Sequence, residues 1–333
     1  MQPTASKTLT RMRRVKEMTM KITRLTVLLA SSLALIQSVV FINAGAVASG
    51  NAVELRNAQA QNDWASFTFG LARSLTTTPL AAPAPLVTFV VTNTNDTGDG
   101  SLRKAITDAN SSPGFDEIAF NIPGVGPHTI SPASALPDIT GPVTINGYTQ
   151  PGASANTLAT GNDAVLLIEL DGTNSGSGAT NGNGLAFAAS DSTVRGLVIN
   201  RFNRAGIAVR SGSGNIFAGN FIGTNPAGTA SLPNGSGIYL ENSATNTIGG
   251  AAPADRNVIL GGANPAIFSA ETGAGGNTIQ GNYIGMNAAG TAALNSGRIV
   301  IQTANNLIGG TSPGAGNLIG KELELGLESI APL

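Results

Sequence analysis

Four arginines lie close together in the second half of the chain, between positions 195 and 210. They are Arg195, Arg201, Arg204 and Arg210. The planar guanidinium fork of arginine pairs with carboxylates, so an arginine cluster on one face would suit the acid groups of a sugar chain. The four residues need not share a face, and ion pairing or solubility is the alternative explanation.

The acidic residues of the same region are a second candidate for chemistry. The densest set is Asp163, Glu169, Asp171 and Asp191. On adjacent turns of the chain such carboxylates would bind Ca²⁺ or act as a hydrolase pair, and Asp163, Glu169 and Asp171 are the candidate metal ligands. Glu169 alternates with Ile168 and Leu170, so it points away from the core if those two point inward. Solvated turns without a site are the alternative.

The single histidine, His128, is a third candidate, because a histidine serves as an acid or base near neutral pH. No serine or cysteine nucleophile motif accompanies it, so we expect a surface or turn position. The chain contains no Cys, which excludes thiolate metal ligands and disulfide bonds.

Residues 1–48 have the pattern of a secretory signal peptide. Seven basic residues precede an apolar run over residues 25–42, and Ala46-Val47-Ala48 supplies small residues for cleavage. A membrane anchor is the alternative, since a bilayer span needs about 20 apolar residues. We expect residues 1–48 to be removed and the exported chain to have no membrane span.

Removal of residues 1–48 leaves 11 basic and 18 acidic residues. Because phosphate contacts need a basic stripe, we do not expect nucleic acid as a partner. Residues 49–86 end in a Thr-, Ala- and Pro-rich stretch and are predicted to be a flexible leader. After this leader the sequence predicts a strand over Leu86–Val91. It then predicts a helix over Ser101–Asn110, with Ser101 as its N-cap. This amphipathic helix would cover the open end of a solenoid core, which makes residues 87–115 an N-terminal cap.

After residue 116, short apolar runs alternate with Gly- and Asn-rich turns, and the pattern repeats. The block Gly219-Asn220-Phe221-Ile222-Gly223-Thr224-Asn225 returns as Gly281-Asn282-Tyr283-Ile284-Gly285-Met286-Asn287. This repeat predicts an all-β fold, a parallel β-helix with coils over about residues 116–320. Asparagines at the turns would form hydrogen-bonded ladders. Two or three coils per repeat are both compatible with the spacing.

Two segments resemble a known group of proteins. Ser101-Leu102-Arg103-Lys104-Ala105-Ile106 resembles the CSLREA-like N-terminal motif of bacterial secreted right-handed parallel β-helix repeat proteins, without the leading Cys and with Lys in place of Glu. Gly147-Tyr148-Thr149-Gln150-Pro151-Gly152 resembles the G-x-T-Q-P-G turn of the same proteins. The resemblance covers about residues 87–320 and implies a right-handed, pectin-lyase-like solenoid over 87–333. Residues 321–333 depart from the repeat, either as a C-terminal cap or because the chain is a truncated member.

The resemblance implies export to the cell surface or the medium of a bacterium. The expected role is structural, adhesive or carbohydrate-binding, with polysaccharide or cell-surface molecules as partners. One alternative is a polysaccharide lyase or another carbohydrate-active enzyme such as a glycoside hydrolase; another is a fragment of a larger surface protein. Under the lyase alternative, Arg195 or Arg201 would remove the proton next to a sugar carboxylate, with Asp191 and Ca²⁺ assisting. No other cofactor is expected. Aromatic residues make up only 5% of the chain, and Phe202, Phe221 and Tyr283 fit core or turn positions.

Overall fold

The computed structural model describes residues 86–176, 182–270, 275–295 and 297–320. The predicted signal peptide (1–48), nearly all of the leader (49–85) and the C-terminal residues 321–333 lie outside the described residues.

The described chain contains one α-helix, α1 (Leu102–Ser111), and many short strands. In chain order the first ten are β1 (Thr88–Val91), β2 (Asp116–Phe120), β3 (His128–Ile130), β4 (Val143–Asn146), β5 (Ile168–Asp171), β6 (Leu185–Phe187), β7 (Thr193–Arg195), β8 (Leu197–Asn200), β9 (Ala205–Val209) and β10 (Ile216–Ala218). The others are β11 (Phe221–Ile222), β12 (Ser236–Leu240), β13 (Thr247–Gly249), β14 (Val258–Ile259), β15 (Ile267–Ser269), β16 (Thr278–Gln280), β17 (Tyr283–Ile284), β18 (Ile299–Ile301), β19 (Leu307–Ile308) and β20 (Leu318–Ile319).

The strands form three parallel sheets. Sheet A has the order β1-β2-β4-β7-β10-β13-β16-β19, sheet B has the order β20-β17-β14-β11-β8-β5-β3, and sheet C has the order β18-β15-β12-β9-β6. From β4 onward the chain visits A, B and C in turn, and each sheet receives one strand from each successive coil. This is a parallel β-helix, as the sequence predicted.

The register decides how many coils each repeat contains. In sheet A, Ile216 pairs with Thr247 and Thr247 pairs with Thr278, so each coil advances the chain by about half of the repeat. The repeat therefore contains two coils. Tyr283, which occupies the same position of the repeat as Phe221, lies two coils further along sheet B.

The core consists of apolar side chains stacked from coil to coil along the axis. In sheet A the fully buried stack is Ile145, Val194, Phe217, Ile248 and Ile279. Burying each of these side chains contributes roughly 2 kcal/mol. Because side chains alternate along a strand, the residues on either side of each core position face outward.

Helix α1 covers the first coil of this core. Ser101 is the N-cap, and its hydroxyl accepts a hydrogen bond from the backbone N–H of Lys104. Leu102, Ala105, Ile106 and Ala109 are buried on one face and join the core. The predicted capping helix is confirmed, and its bounds differ from the expected ones by one residue.

Two files of asparagines run along the turns. One contains Asn215, Asn246, Asn277 and Asn306, and the other contains Asn220, Asn257, Asn282 and Asn317. In the first file the backbone N–H of Asn215 donates to Oδ1 of Asn246, and the N–H of Asn246 donates to Oδ1 of Asn277. These ladders satisfy buried backbone groups where the chain enters a strand.

Loops cover part of the outer face of sheet B. Phe221 and Tyr283 are buried there in a second apolar cluster that also contains Val198 and Val258. Gly228 and Gly290 of the repeated loops lie against the edges of the Phe221 and Tyr283 rings. These aromatics therefore stabilise the loops; Phe202, by contrast, belongs to the main core.

Candidate functional site

A groove of about 430 Å³ lies over the outer face of sheet C. Its floor is one file of outward-facing side chains, one from each coil. They are Ala208, Tyr239, Phe268 and Val300. Since each follows or precedes a core residue, the strand alternation that builds the core also builds this floor.

Tyr239 and Phe268 form an aromatic platform in the middle of the floor. Their ring centroids are 5.4 Å apart and their planes differ by 16°, so the two rings stack with nearly parallel planes. Both side chains are half-buried, whereas the adjacent Ile238 and Ile267 lie in the core. Ala208, beside Tyr239, is small enough to leave space for a ligand.

Charged residues border the groove at the two ends of the strands. Arg204 immediately precedes β9 and Arg298 immediately precedes β18, so both lie at the edge where the parallel strands begin. Arg210 and Glu241 lie at the opposite edge. Nη1 of Arg210 is 2.9 Å from Oδ2 of Asp138. Charged side chains therefore border the groove at both edges.

The Tyr239 hydroxyl remains protonated at neutral pH. Burial raises the pKa of Tyr239 above its ordinary value, the Glu241 carboxylate raises it further, and the Arg204 guanidinium opposes them. The hydroxyl is thus available as a hydrogen-bond donor at the groove surface.

The four clustered arginines do not share one face. Arg204 and Arg210 line the groove. Arg195, in β7, faces outward from sheet A, with its guanidinium carbon 5.3 Å from the Tyr148 ring centroid. Arg201 follows β8 of sheet B and has a backbone φ of 59°. The candidate catalytic residues Arg195 and Arg201 thus belong to different sheets.

Arg201 lies beside two of the candidate metal ligands. Its Nη1 is 2.7 Å from Oδ2 of Asp171 and 3.8 Å from Oε1 of Glu169. Glu169 is only 7% exposed and accepts hydrogen bonds of 2.8 Å from Thr129 and Asn200. Glu169 points outward as predicted, but it is buried rather than part of a solvated turn. The charge of Arg201, the hydroxyl of Thr129 and the side-chain amide of Asn200 together stabilise the carboxylates of Glu169 and Asp171.

The other two acidic candidates have separate positions. Asp163 accepts hydrogen bonds from the backbone N–H and the hydroxyl of Thr157, and these bonds lower its pKa. Asp191 is an exposed turn residue before β7, with a φ of 57°. In the ranges that the structure describes, no group of three or more His, Cys, Asp or Glu side chains is arranged to hold a metal ion.

The expectation for His128 was wrong. It lies in strand β3 and is 9% exposed, not on the surface or in a turn. Its Nε2 is 3.2 Å from Nε2 of Gln150, which also bonds the backbone of Ile122 through both amide atoms. His128 thus forms part of a buried polar contact between neighbouring coils.

The aromatic platform was missed from the sequence. Tyr239 stands between Ile238 and Leu240 in a run that reads as a strand, so its outward direction was available. Its pairing with Phe268 depends on the length of the intervening coil. No sequence motif indicated the length of this coil, so the contact between Tyr239 and Phe268 could not be predicted.

Within the described ranges, none of the helices has the length and hydropathy required to cross a membrane. No curated protein matches the chain. The profile of the family described as "periplasmic copper-binding protein (NosD)" matches residues 133–314, a range that includes every strand of sheet C and more than half of the 333 residues. The chain therefore belongs to the NosD family.

Proposed function

We propose that this protein is exported and holds a carbohydrate chain in the groove over sheet C. Export is supported by the predicted signal peptide at residues 1–48 and by the periplasmic description of the family. The division into a signal peptide, a leader over 49–86 and a β-helix over 87–333 belongs to the same proposal. The observation that carries the carbohydrate assignment is the stacked pair Tyr239 and Phe268.

The outer faces of a stacked, half-buried pair of rings suit a sugar. One face of a sugar ring is made of C–H groups, which are weakly positive, and the face of an aromatic ring is negative because of its quadrupole. Polar side chains at the rim, including Asn203 and Asn264, supply donors and acceptors for the hydroxyl groups around the sugar ring. An apolar floor with a polar rim is the usual composition of a ligand site.

The described residues do not fit a copper centre. Copper sites in proteins use thiolate, thioether and imidazole ligands. The chain has no Cys, and four of its five Met residues lie within positions 1–20. Its single histidine, His128, is buried in the contact with Gln150. We therefore derive no function from the metal named in the family description.

A lyase remains the alternative proposal, with Asp191, Arg195 and Arg201 as catalytic residues and Asp163, Glu169 and Asp171 as Ca²⁺ ligands. It ranks second because Arg195 faces out of sheet A while Arg201 contacts Asp171 at the end of a strand of sheet B. A reaction centre requires its groups to be within about 3 Å of one reacting atom. The groove over sheet C needs no such convergence to bind a ligand.

The test is a binding screen of the purified exported chain against neutral and acidic polysaccharides, followed by calorimetry on those that bind. We expect Tyr239→Ala and Phe268→Ala each to weaken binding about tenfold through the loss of stacking area. Ala208→Leu should also weaken binding, because the added atoms occupy the groove. Ile216→Ala, which truncates an exposed apolar residue of sheet A, is the matched control. Binding that survives all three groove substitutions would place the carbohydrate elsewhere.

A further inference from the structure

We propose that residues 321–333 add a strand to sheet C beyond β18 and close the C-terminal end of the β-helix core. These residues lie outside the described part of the chain. Two observations support this position: an apolar surface at that end of the β-helix, and the spacing of residues 321–333 relative to the repeat. Neither observation depends on the carbohydrate assignment.

The two ends of the β-helix differ. Helix α1 covers the core at the N-terminal end, whereas β19, β20 and β18 are the terminal strands of sheets A, B and C at the other end. Among the described residues, each of these three strands pairs with another strand on one side only. Ile308 occupies the core position of Ile279 in sheet A, but it is 37% exposed whereas Ile279 is fully buried. An apolar core layer bordered by strand edges therefore needs a cover at this end.

The spacing of the core residues indicates which segment supplies that cover. The repeat contains two coils of different shape, and in one of them the core residues are Ile248 in sheet A and Ile259 in sheet B. A coil of the same shape begins 60 residues later, with Ile308 in sheet A and Ile319 in sheet B. The first of these coils continues into β15 of sheet C, so the second should continue into sheet C as well.

The counterpart of β15 falls within residues 321–333. Ile267 is the fully buried first residue of β15, and Leu327 follows it at the same interval of 60 residues. Ser269, which is also buried, is matched by Ser329. Because Ile267 pairs with Ile299 of β18 on one side, Leu327 would pair with Ile299 on the other and cover the core.

The charges in this segment suit a strand at the end of a sheet. Leu323, Leu325 and Leu327 occur at every second position, which is the period of a strand with one apolar face. Glu322, Glu324 and Glu328 alternate with or follow these leucines. Charged residues on an edge strand prevent another chain from pairing with it, so the added strand would also block end-to-end association of the β-helix.

The added strand would lengthen the groove over sheet C. Phe268, between Ile267 and Ser269, faces outward and lies on the groove floor beside Val300 of β18. Glu328 has the corresponding position in the added strand, on the other side of Val300. The file of outward-facing residues on the groove floor would therefore continue from Val300 to a carboxylate.

The first test is a disulfide introduced into the exported chain, which contains no Cys of its own. Paired strands about 4.8 Å apart would bring Val300 and Glu328 within the Cα separation of about 4.4–6.8 Å that a disulfide needs. We expect the variant with Val300→Cys and Glu328→Cys to form a disulfide within one chain under mild oxidation, detected as the loss of both reactive thiols in the monomer. The matched control combines Val300→Cys with Glu324→Cys, in the turn before the added strand, and should remain reduced.

The second test places a charge on the segment. We expect Leu327→Asp to lower the midpoint of thermal unfolding by about 5 °C, because it puts a carboxylate against the core. The same variant should associate end to end in sedimentation experiments, since the strand edges would be uncovered. Leu323→Asp is the matched control, because its counterpart Ala263 is exposed, and it should change neither property.

The other outcomes overturn the proposal. A disulfide that joins two chains would identify a second copy of the protein as the cover of this end. Equal cross-linking of the two cysteine pairs, or no cross-linking between positions 300 and 328, would contradict the register. Equal effects of Leu327→Asp and Leu323→Asp on the unfolding midpoint would show that Leu327 does not cover the core.

Discussion

Arg256 lies over the ring of Tyr283, with its guanidinium carbon 4.7 Å from the ring centroid. Arg256 is 6% exposed, and its guanidinium group donates to the carbonyl groups of Leu158, Ala159 and Gly161. The Tyr283 hydroxyl accepts a hydrogen bond of 2.8 Å from the N–H of Gly161. The two residues thus fasten the long loop before β5 to a coil far along the axis.

We expect Arg256→Met to lower the free energy of unfolding by about 3 kcal/mol. The methionine fills part of the space but leaves three carbonyl groups of the loop without their donor, and an unsatisfied buried polar group costs roughly 1–3 kcal/mol. Chemical denaturation followed by circular dichroism measures the change. Lys104→Met, at an exposed position of α1, should change it far less, because water screens the exposed ion pair of Lys104 with Asp108. Equal effects of the two substitutions would show that the clamp does not stabilise the fold.

The asparagine ladders should be sensitive to single substitutions. Asn246 is fully buried, accepts from the backbone N–H of Asn215 and donates to Oδ1 of Asn277. Asn246→Ala should lower the unfolding free energy by about 2–3 kcal/mol, because it leaves a backbone N–H unpaired and creates a small cavity. Asn95→Ala, at an exposed loop position, should have little effect in the same denaturation experiment. If Asn246→Ala lowered the unfolding free energy by no more than Asn95→Ala does, water molecules would be replacing the hydrogen bonds that Asn246 makes with its neighbours in the ladder.

The stability should fall in alkali because of Tyr148. Burial is the main cause that raises its pKa to about 12; Arg195 lowers the pKa and Asp255 raises it. The unfolded chain releases this proton near pH 10. Between pH 10 and 12 the unfolded state therefore binds fewer protons than the folded state, and stability falls with rising pH, by about 3 kcal/mol in total.

Tyr148→Phe should remove this alkaline loss. At pH 7 the variant should be about 1 kcal/mol less stable, because the Tyr148 hydroxyl donates to the carbonyl of Gly219 at 2.7 Å. The deficit should shrink and then reverse as the pH rises from 10 to 12. Unfolding curves at a series of pH values measure this, and a constant difference across that range would contradict the assignment.

Gly290 should not tolerate a side chain. It has a φ of 71°, and a Cβ there would lie 2.8 Å from the Tyr283 ring. Gly309 has a similar φ, 79°, but nothing lies within 4 Å of its Cβ position. Gly309→Ala should therefore cost only the left-handed strain of about 1–2 kcal/mol, and Gly290→Ala should cost more. If chemical denaturation showed the same loss of unfolding free energy for both variants, the loop over Tyr283 would be able to shift and accommodate the added methyl group.

The amino-acid sequence by itself determined the β-helix and its cap. Alternating apolar residues at strand spacing, a repeated Gly- and Asn-rich block and a serine-capped amphipathic helix are local or periodic features, so they are visible without any knowledge of contacts. Glu169 illustrates the limit: its outward direction followed from its neighbours, but its burial depends on donors such as Thr129 and Asn200 from other coils.

The tertiary structure decided which outward-facing residues meet. Coils differ in length because insertions fall at the turns, so separation in sequence does not give position along the axis. Arg195 and Arg201 are close in sequence and lie on different sheets, whereas Tyr239 and Phe268 are a whole coil apart and stack. The groove forms because the strand register in sheet C aligns outward-facing side chains of successive coils. That register depends on the lengths of all the turns between the strands.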